Sequence, residues 1–214
     1  MATQRPVATA LAHGVATRLG QALSAFQEAD SRWRTALIED IAPRRHDVIL
    51  DAACGSGALA VALAQAAPGA IVMGLDHRPE ALAQARARAD AAKVRLELIE
   101  AYARDISFYV NELAPTRVIC TFSNTQDDLI ARRTVLTAAR EALRAGGTLH
   151  AIEIEARLPR FLAQSSLHAE PAGHSQSLPD LMRQAGFSGV VALGLFAGTN
   201  GAVRLHRGAL ATPS

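Results

Sequence analysis

Three short apolar runs, each closed by an acid, constrain this chain more than any other feature. Val48-Ile49-Leu50 ends in Asp51, residues 70–75 end in Asp76, and residues 94–99 end in Glu100. Behind the first acid come Cys54-Gly55-Ser56-Gly57 and an Ala/Leu helix to about residue 67; behind the second come Pro79, placed as a helix N1 proline, and a helix over 80–92. Strand-length runs that alternate with helices must pair in parallel, because each helix carries the chain back to the same edge of the sheet. The alternation continues with a strand over 117–122, a helix over 127–144 stopped at Gly146-Gly147, and a strand over 148–154. A helix over 178–185 follows, with Gly186 at its C′ position. Two β-like runs, 190–196 and 202–206, then flank Gly198-Thr199-Asn200-Gly201, the signature of a hairpin. The fold class is therefore α/β: a seven-stranded, mostly parallel sheet with a C-terminal antiparallel hairpin and helices on both faces.

Ahead of this alternation the chain is helical in pattern. Leu11, Val15 and Leu19 recur at i, i+4, i+8, and Trp33, Leu37, Ile38 and Ile41 share a side of a second helix that ends before Pro43. Residues 1–42 are expected to form a helical N-terminal cap, and residues 43–214 the α/β domain. Residues 157–177, rich in Ser, His and Pro, make one long irregular stretch of the kind that serves as a lid or mobile segment.

Composition removes several function classes. Twenty-two Lys+Arg against 20 Asp+Glu leave a formal charge of +2, which gives no electrostatic footprint for nucleic acid or an anionic membrane. Lys93 is the sole lysine, so lysine-nucleophile chemistry has one poor candidate. Cys54 and Cys120 cannot build a disulfide framework or a four-ligand zinc site by themselves, and no His/Cys/carboxylate grouping has metal-ligand spacing. The uncharged stretch 52–75 is cut by Gly55, Gly57, Pro68 and Gly69 into pieces too short to span a membrane. No signal-peptide pattern opens the chain. A soluble protein in a reducing cytoplasm is the expectation.

The chemistry gathers at the acid-ended strands. Glycines at 55 and 57 let backbone approach a ligand closely, and the helix behind them offers free N–H groups. Gly55-x-Gly57-x-x-Ala60 also fits a dinucleotide fingerprint, which keeps a nicotinamide or flavin cofactor in view. Asp51 argues against it: a carboxylate ahead of the glycines repels a pyrophosphate and favours a ligand bearing a cationic amino group. Asp76 lies 19 residues beyond Gly57, where a carboxylate can accept both hydroxyls of a ribose. Glu100 ends the third strand on the same edge.

In these residues the chain resembles the class I S-adenosylmethionine-dependent methyltransferases. Val48-Ile49-Leu50-Asp51-Ala52-Ala53-Cys54-Gly55-Ser56-Gly57 is similar to their first motif, apolar-Leu-Asp-x-Gly-Cys-Gly-Thr-Gly. Gly74-Leu75-Asp76-His77-Arg78-Pro79-Glu80-Ala81-Leu82 resembles their Gly-x-Asp-x-Ser-Pro-x-x-Leu. The segment 139–149, ending Gly146-Gly147-Thr148-Leu149, resembles the Leu-Lys-Pro-Gly-Gly stretch before strand five, and Ala185-Gly186-Phe187 matches the end of the last helix. The likeness covers roughly residues 45–207, and its nearest flavour is the quinone-biosynthesis C-methyltransferases.

The resemblance implies a Rossmann-like fold, S-adenosylmethionine as cofactor and a small-molecule methyl acceptor attacked through a C, O or N nucleophile, with room for a homodimer. Carried over by position, Gly55, Gly57 and the loop residue Ala53 would border the methionine part of the cofactor. Asp51 would hold its amino group, Asp76 the ribose, and His77 would lie beside the adenine. Glu100 and the Ala101 N–H would read the adenine edge, and Thr121 would border the transferable methyl. Trp33 and Asn124 are the candidates for the acceptor site; His168 and His174, in the 157–177 stretch, are the candidates for a general base.

Three departures accompany the likeness. Ala53 replaces the motif's first glycine, the acid usual before strand four is missing from Thr116-Arg117-Val118-Ile119, and Ser123-Asn124-Thr125-Gln126 replaces the Asn-Pro-Pro-Tyr of amino-methylating enzymes. A cofactor-binding partner subunit without turnover is the alternative these motivate, and an NAD-dependent oxidoreductase is the third. The remaining groups read simply: both cysteines as buried, His150 and His206 as structural, Arg44-Arg45 and Arg132-Arg133 as solvated, and Asp127-Asp128 as acids opening a helix.

Overall fold

The computed structural model describes residues 32–110, 113–123, 128–156, 176–198 and 201–212. The expected first cap helix, Asn124, His168 and His174 lie outside the described residues, as does most of the 157–177 stretch. In chain order the elements are α1 (Arg32–Ile41), β1 (Val48–Ala52), α2 (Ala58–Ala66), β2 (Ile71–Asp76), α3 (Pro79–Ala92) and β3 (Glu97–Glu100). A 3-10 turn (Ala103–Asp105) and the short α4 (Ile106–Tyr109) lead to β4 (Arg117–Ser123), α5 (Leu129–Ala142) and β5 (Thr148–Ala156). The chain then forms α6 (Leu178–Gln184), β6 (Ser188–Gly198) and β7 (Gly201–Ala209).

All seven strands form one sheet in the order β3-β2-β1-β4-β5-β7-β6. The first five are parallel; β7 runs antiparallel to β5 and β6, so the mixed sheet matches the sequence expectation. From β1 the chain winds outward to β3, then crosses back to β4 on the other side of β1. That reversal falls between β1 and β4, and in open α/β sheets ligands bind at the carboxyl ends of the strands on either side of such a switch.

Alternation along the strands builds a core on each face. Ile49, Ile119, Ile152 and Ile154 join Trp33, Leu37 and Ile41 of α1 and Leu59 and Leu63 of α2. Leu50, Ala52, Val118, Cys120, Phe122 and Leu149 turn the other way, toward Ile106 of α4, Leu136 and Ala139 of α5 and Leu181 and Met182 of α6. Central strands buried on both faces need continuous apolar runs, which is why β1 and β4 are so poor in charge. Among the described residues no helix is long and apolar enough to cross a membrane.

Polar pairs fasten the amino-side edge of the parallel strands. The missing acid before β4 is supplied by Asp47: Thr116 donates through Oγ1 to the Asp47 carboxylate at 2.9 Å, and the Arg44 N–H caps the same carboxylate at 2.8 Å. Asp40 near the end of α1 meets His150 of β5 at 2.9 Å and accepts from Arg207 of β7 at 2.8 Å, which ties the cap helix to the sheet.

Two expectations need correction. Strand three starts at Glu97, not 94, because Lys93 closes α3 in a left-handed conformation and the Val94 N–H bonds back to the Ala89 carbonyl. Arg132 is not solvated: it lies largely buried on α5 and donates to Glu153 of β5 at 2.8 Å, since Glu153 faces that helix. Asp128, by contrast, caps α5 as an opening acid should, accepting from the Ala131 N–H at 2.7 Å.

Candidate active site

The turn from β1 into α2 is wound by three left-handed residues, Ala53 (φ 64°), Gly55 (φ 55°) and Gly57 (φ 74°). Glycine accepts this conformation freely, whereas Ala53 holds it at a cost of about 1–2 kcal/mol. Gly57 is required twice over, since a Cβ there would sit 2.7 Å from the Ala85 Cβ of α3. Gly74 similarly leaves space for Cys54, whose sulfur would lie 3.0 Å from an added Cβ. The loop is thus pressed down against β2 and α3, with its backbone turned up toward the carboxyl edge.

Two carboxylates flank it, in opposite electrostatic states. Asp51 is 2 % exposed; burial, and after it the negative charge of Asp76, pushes its carboxyl up to about 7. An acid in that state gains most from a cation brought to it. Asp76 is also buried, which by itself would raise it, but hydrogen bonds from the Arg78 side chain and backbone and from the Gly55 N–H hold it below the usual carboxylate range. Gly55 N–H and Arg78 Nη2 reach Oδ2 at 2.9 and 3.3 Å; Arg78 N–H and Nε reach Oδ1 at 3.0 and 3.1 Å.

Beyond Asp76, the rings of His77 and Tyr102 stack with centroids 4.8 Å apart, and the Arg104 guanidinium lies 4.2 Å over the Tyr102 ring. Both rings are about half exposed. Glu100 is exposed at the end of β3. The Ala101 N–H, expected to read an adenine edge, instead donates to the Asp76 carbonyl at 3.1 Å and continues the β2–β3 ladder. Thr121 is half-buried near the end of β4, on the same face as Asp51 and Ile119.

Trp33 is 3 % exposed at the amino end of α1, and its indole N–H is buried with no hydrogen-bond partner among the described residues. The neighbouring Arg32 donates to the Ala197 carbonyl at 3.4 Å, which brings this end of α1 to the hairpin side of the carboxyl edge. Cys54 and Cys120 are free and buried; burial and the nearby Asp51 push both thiols far above their ordinary range, so neither supplies a thiolate. Among the described residues no group of three His, Cys, Asp or Glu is placed to hold a metal.

The structure brings Asp51, Gly55, Gly57, Asp76 and His77 together around one turn, and with them Arg78 and Tyr102, which the sequence expectation leaves out. An arginine standing where the resembled motif has serine was the available signal for the first; an aromatic two residues beyond Glu100 was the signal for the second.

The residues fit the cofactor that the resemblance implies. Asp51 is a buried acid lacking charge compensation among the described residues, suited to an ammonium group; Asp76 ends β2 with a carboxylate of the kind that accepts from a diol; and the half-exposed His77 ring, backed by Tyr102, lies next to it, suited to a base.

Comparison with known proteins agrees. Residues 49–147 match the methyltransferase domain family. The demethylmenaquinone methyltransferase of Thermus thermophilus is 37% identical over 102 residues, covering 46% of this chain and 45% of that protein. The ubiquinone/menaquinone biosynthesis C-methyltransferase UbiE of Cereibacter sphaeroides is 29% identical over 161 residues, 72% of this chain and 62% of that protein. The chain thus spans about half the length of the first of these relatives. Among solved structures, the S-adenosylmethionine-dependent methyltransferase SibL in its apo form superposes with TM-score 0.59 at 24% identity, covering 85% of this chain and 55% of that one. An O-methyltransferase family protein from Burkholderia thailandensis gives TM-score 0.62 at 19% identity, over 91% and 61%. At these identities the structural likenesses speak for the fold alone.

Proposed function

We propose, for a chain that belongs to the class I S-adenosylmethionine-dependent methyltransferases, that it transfers a methyl group from S-adenosylmethionine to a small molecule with a carbon, oxygen or nitrogen nucleophile. The observation that carries this reading is Asp51, a buried carboxyl held near 7 beneath a glycine turn. Such a group destabilises the free protein and is neutralised by a cationic amino group. A dinucleotide would bring a pyrophosphate there instead, between two acids.

When bound, the cofactor supplies a sulfonium-activated methyl, so alignment and exclusion of water matter more than a strong base. Asp51 holds the ammonium, and Gly55 and Gly57 let the backbone close around the methionine part. Asp76 accepts from the ribose hydroxyls, with its position fixed by the Gly55 and Arg78 N–H groups. His77, backed by the Tyr102 ring stacked on it, lies beside the adenine, and Thr121 borders the methyl from β4. Trp33 and Asn124 contribute to the acceptor site, and either His168 or His174 serves as base where the acceptor must lose a proton.

The names of the relatives suggest the acceptor class, a precursor in quinone biosynthesis such as demethylmenaquinone. A cytoplasmic setting, one helical cap over residues 1–42 and a homodimer complete the reading. Calorimetric titration with S-adenosylhomocysteine, with NAD as control, tests it. Micromolar binding of the first alone supports the cofactor assignment, and release of S-adenosylhomocysteine from S-adenosylmethionine in the presence of an acceptor then supports methyl transfer; the reverse binding pattern makes the protein an oxidoreductase.

A further inference from the structure

A carboxylate has about four acceptor positions, two on each oxygen. All four on Asp76 are in use: the Gly55 N–H and Arg78 Nη2 on Oδ2, the Arg78 N–H and Nε on Oδ1. A ribose diol needs two of these positions. The two backbone donors set the turn and the start of α3, and losing them would unwind the loop that makes the site. The two that can be given up belong to the Arg78 side chain, which is 44% exposed and carried on a flexible stem.

The position of that side chain makes the same point. If a Cβ is built on Gly55, the one atom it meets within 4 Å, outside its immediate chain neighbours, is Arg78 Nη2 at 3.7 Å. The guanidinium therefore lies over the glycine turn as well as across Asp76, on the ground a ligand bridging the two must cover. Serine, which the resembled motif has here, could not reach either place.

Resting on the cofactor reading above, we propose that Arg78 is a displaceable latch: its guanidinium holds the two Asp76 acceptor positions that the ribose hydroxyls require, so cofactor entry is an exchange and Arg78 sets the affinity. In the free protein the latch compensates the Asp76 charge. On binding, the hydroxyls replace the guanidinium, which swings into solvent at the rim. The bidentate fork matters, because a lysine ammonium in its place would hold Asp76 from a single point.

The test is calorimetric titration of the full chain with S-adenosylhomocysteine for the parent, Arg78→Ser and Arg78→Lys. Arg78→Ser is expected to bind about two- to fivefold tighter than the parent, the range of a half-exposed ion pair, with Arg78→Lys in between. Raising NaCl from roughly 50 to 500 mM should narrow the gap between parent and Arg78→Ser, since salt screens a half-exposed pair. Melting of the free proteins gives a readout independent of binding: Arg78→Ser loses the partner of a buried acid and melts below the parent, and saturating ligand removes the difference. Equal or weaker binding by Arg78→Ser overturns the latch and leaves the cofactor assignment standing. No binding by any of the three proteins overturns both.

Discussion

Asp51→Asn should make the free protein more stable and cripple it as a ligand binder. The carboxyl is 2 % exposed and raised from 3.8 to about 7. A gap of roughly three pH units at about 1.4 kcal/mol each amounts to about 4 kcal/mol. The sign follows from proton binding. Between those two values the folded protein keeps the proton that the unfolded chain releases, so this group's contribution is most favourable below 3.8, is lost as pH rises, and is fully lost above 7. Asparagine keeps the shape and drops the charge, but its buried amide still costs about 1–2 kcal/mol, which leaves a net gain of about 2 kcal/mol at pH 8. At pH 4 the folded aspartate is itself neutral, so the gain should give way to a small loss, the amide cost of about 1 kcal/mol. For a chain of this length the pH 8 difference corresponds to about 4–8 °C in Tm. The assay is urea unfolding of parent and variant in parallel across pH 4 to 8; the difference between them matters, since other groups tilt both curves alike. Calorimetry at pH 8 should show S-adenosylhomocysteine binding weakened by about 2 kcal/mol or more, the loss of one partner of a buried charge pair. Parallel unfolding curves with a constant offset would refute the buried-charge reasoning. Stabilisation with unchanged binding would refute the ammonium assignment alone.

Asp76→Ala should weaken S-adenosylhomocysteine by about 1–3 kcal/mol, the cost of leaving hydroxyls unpaired, measured by the same calorimetry; unchanged binding would sink the ribose assignment. Thr116→Val should cost about 1.5–3 kcal/mol in urea unfolding, because the buried Asp47 loses a donor to its charge, while the ligand affinity stays at the parent value. His150 titrates in the opposite sense to Asp51. Burial, outweighing the pull of Asp40, holds its ring below the ordinary value, so the folded state excludes a proton that the unfolded chain takes up. Its contribution to stability is therefore lost as pH falls through the histidine range, and His150→Gln should flatten that acid limb of the unfolding profile.

The fold was legible wherever a run of residues repeats a single physical instruction. Strand-length apolar runs, glycine stops and Pro79 at the head of α3 located the elements to within a few residues, and the hairpin was written in Gly198 and Gly201. The segment between β3 and β4 was not legible. The 3-10 turn and the four-residue α4 are too short to show a helical period; Ile106 and Val110, with Ala103 packed beside that core, anchor them. Within the site, Asp51 and Asp76 announced themselves by closing apolar strands. Arg78 did not, since a surface arginine beside a proline has many ordinary uses, and only the folded chain shows its guanidinium turned back across Asp76. Arg132 misled for the same reason: adjacent arginines read as solvated until Glu153 is seen facing them from β5.

The two edges of the sheet divide stability from ligand readiness. At the amino-side edge both acids noted above have partners in the chain: the buried Asp47 with Thr116 and Arg44, the partly buried Asp40 with His150 and Arg207. At the carboxyl edge the chain accepts local cost instead. Ala53 sits in a left-handed conformation, and among the described residues Asp51 is buried without a counter-charge and the Trp33 indole N–H has no partner. Each cost lies at the switch between β1 and β4, or where α1 reaches the hairpin side of that edge. A uniformly optimised fold would have spent a glycine at 53, an apolar residue at 51 and a phenylalanine at 33. The residues present make sense if a ligand compensates them, Asp51 by a cation and Trp33 by an acceptor oxygen. Arg78 then has a place in the same scheme. It keeps Asp76 charged and partnered until the ligand arrives, so that of the two neighbouring acids only Asp51 is left without compensation in the free protein.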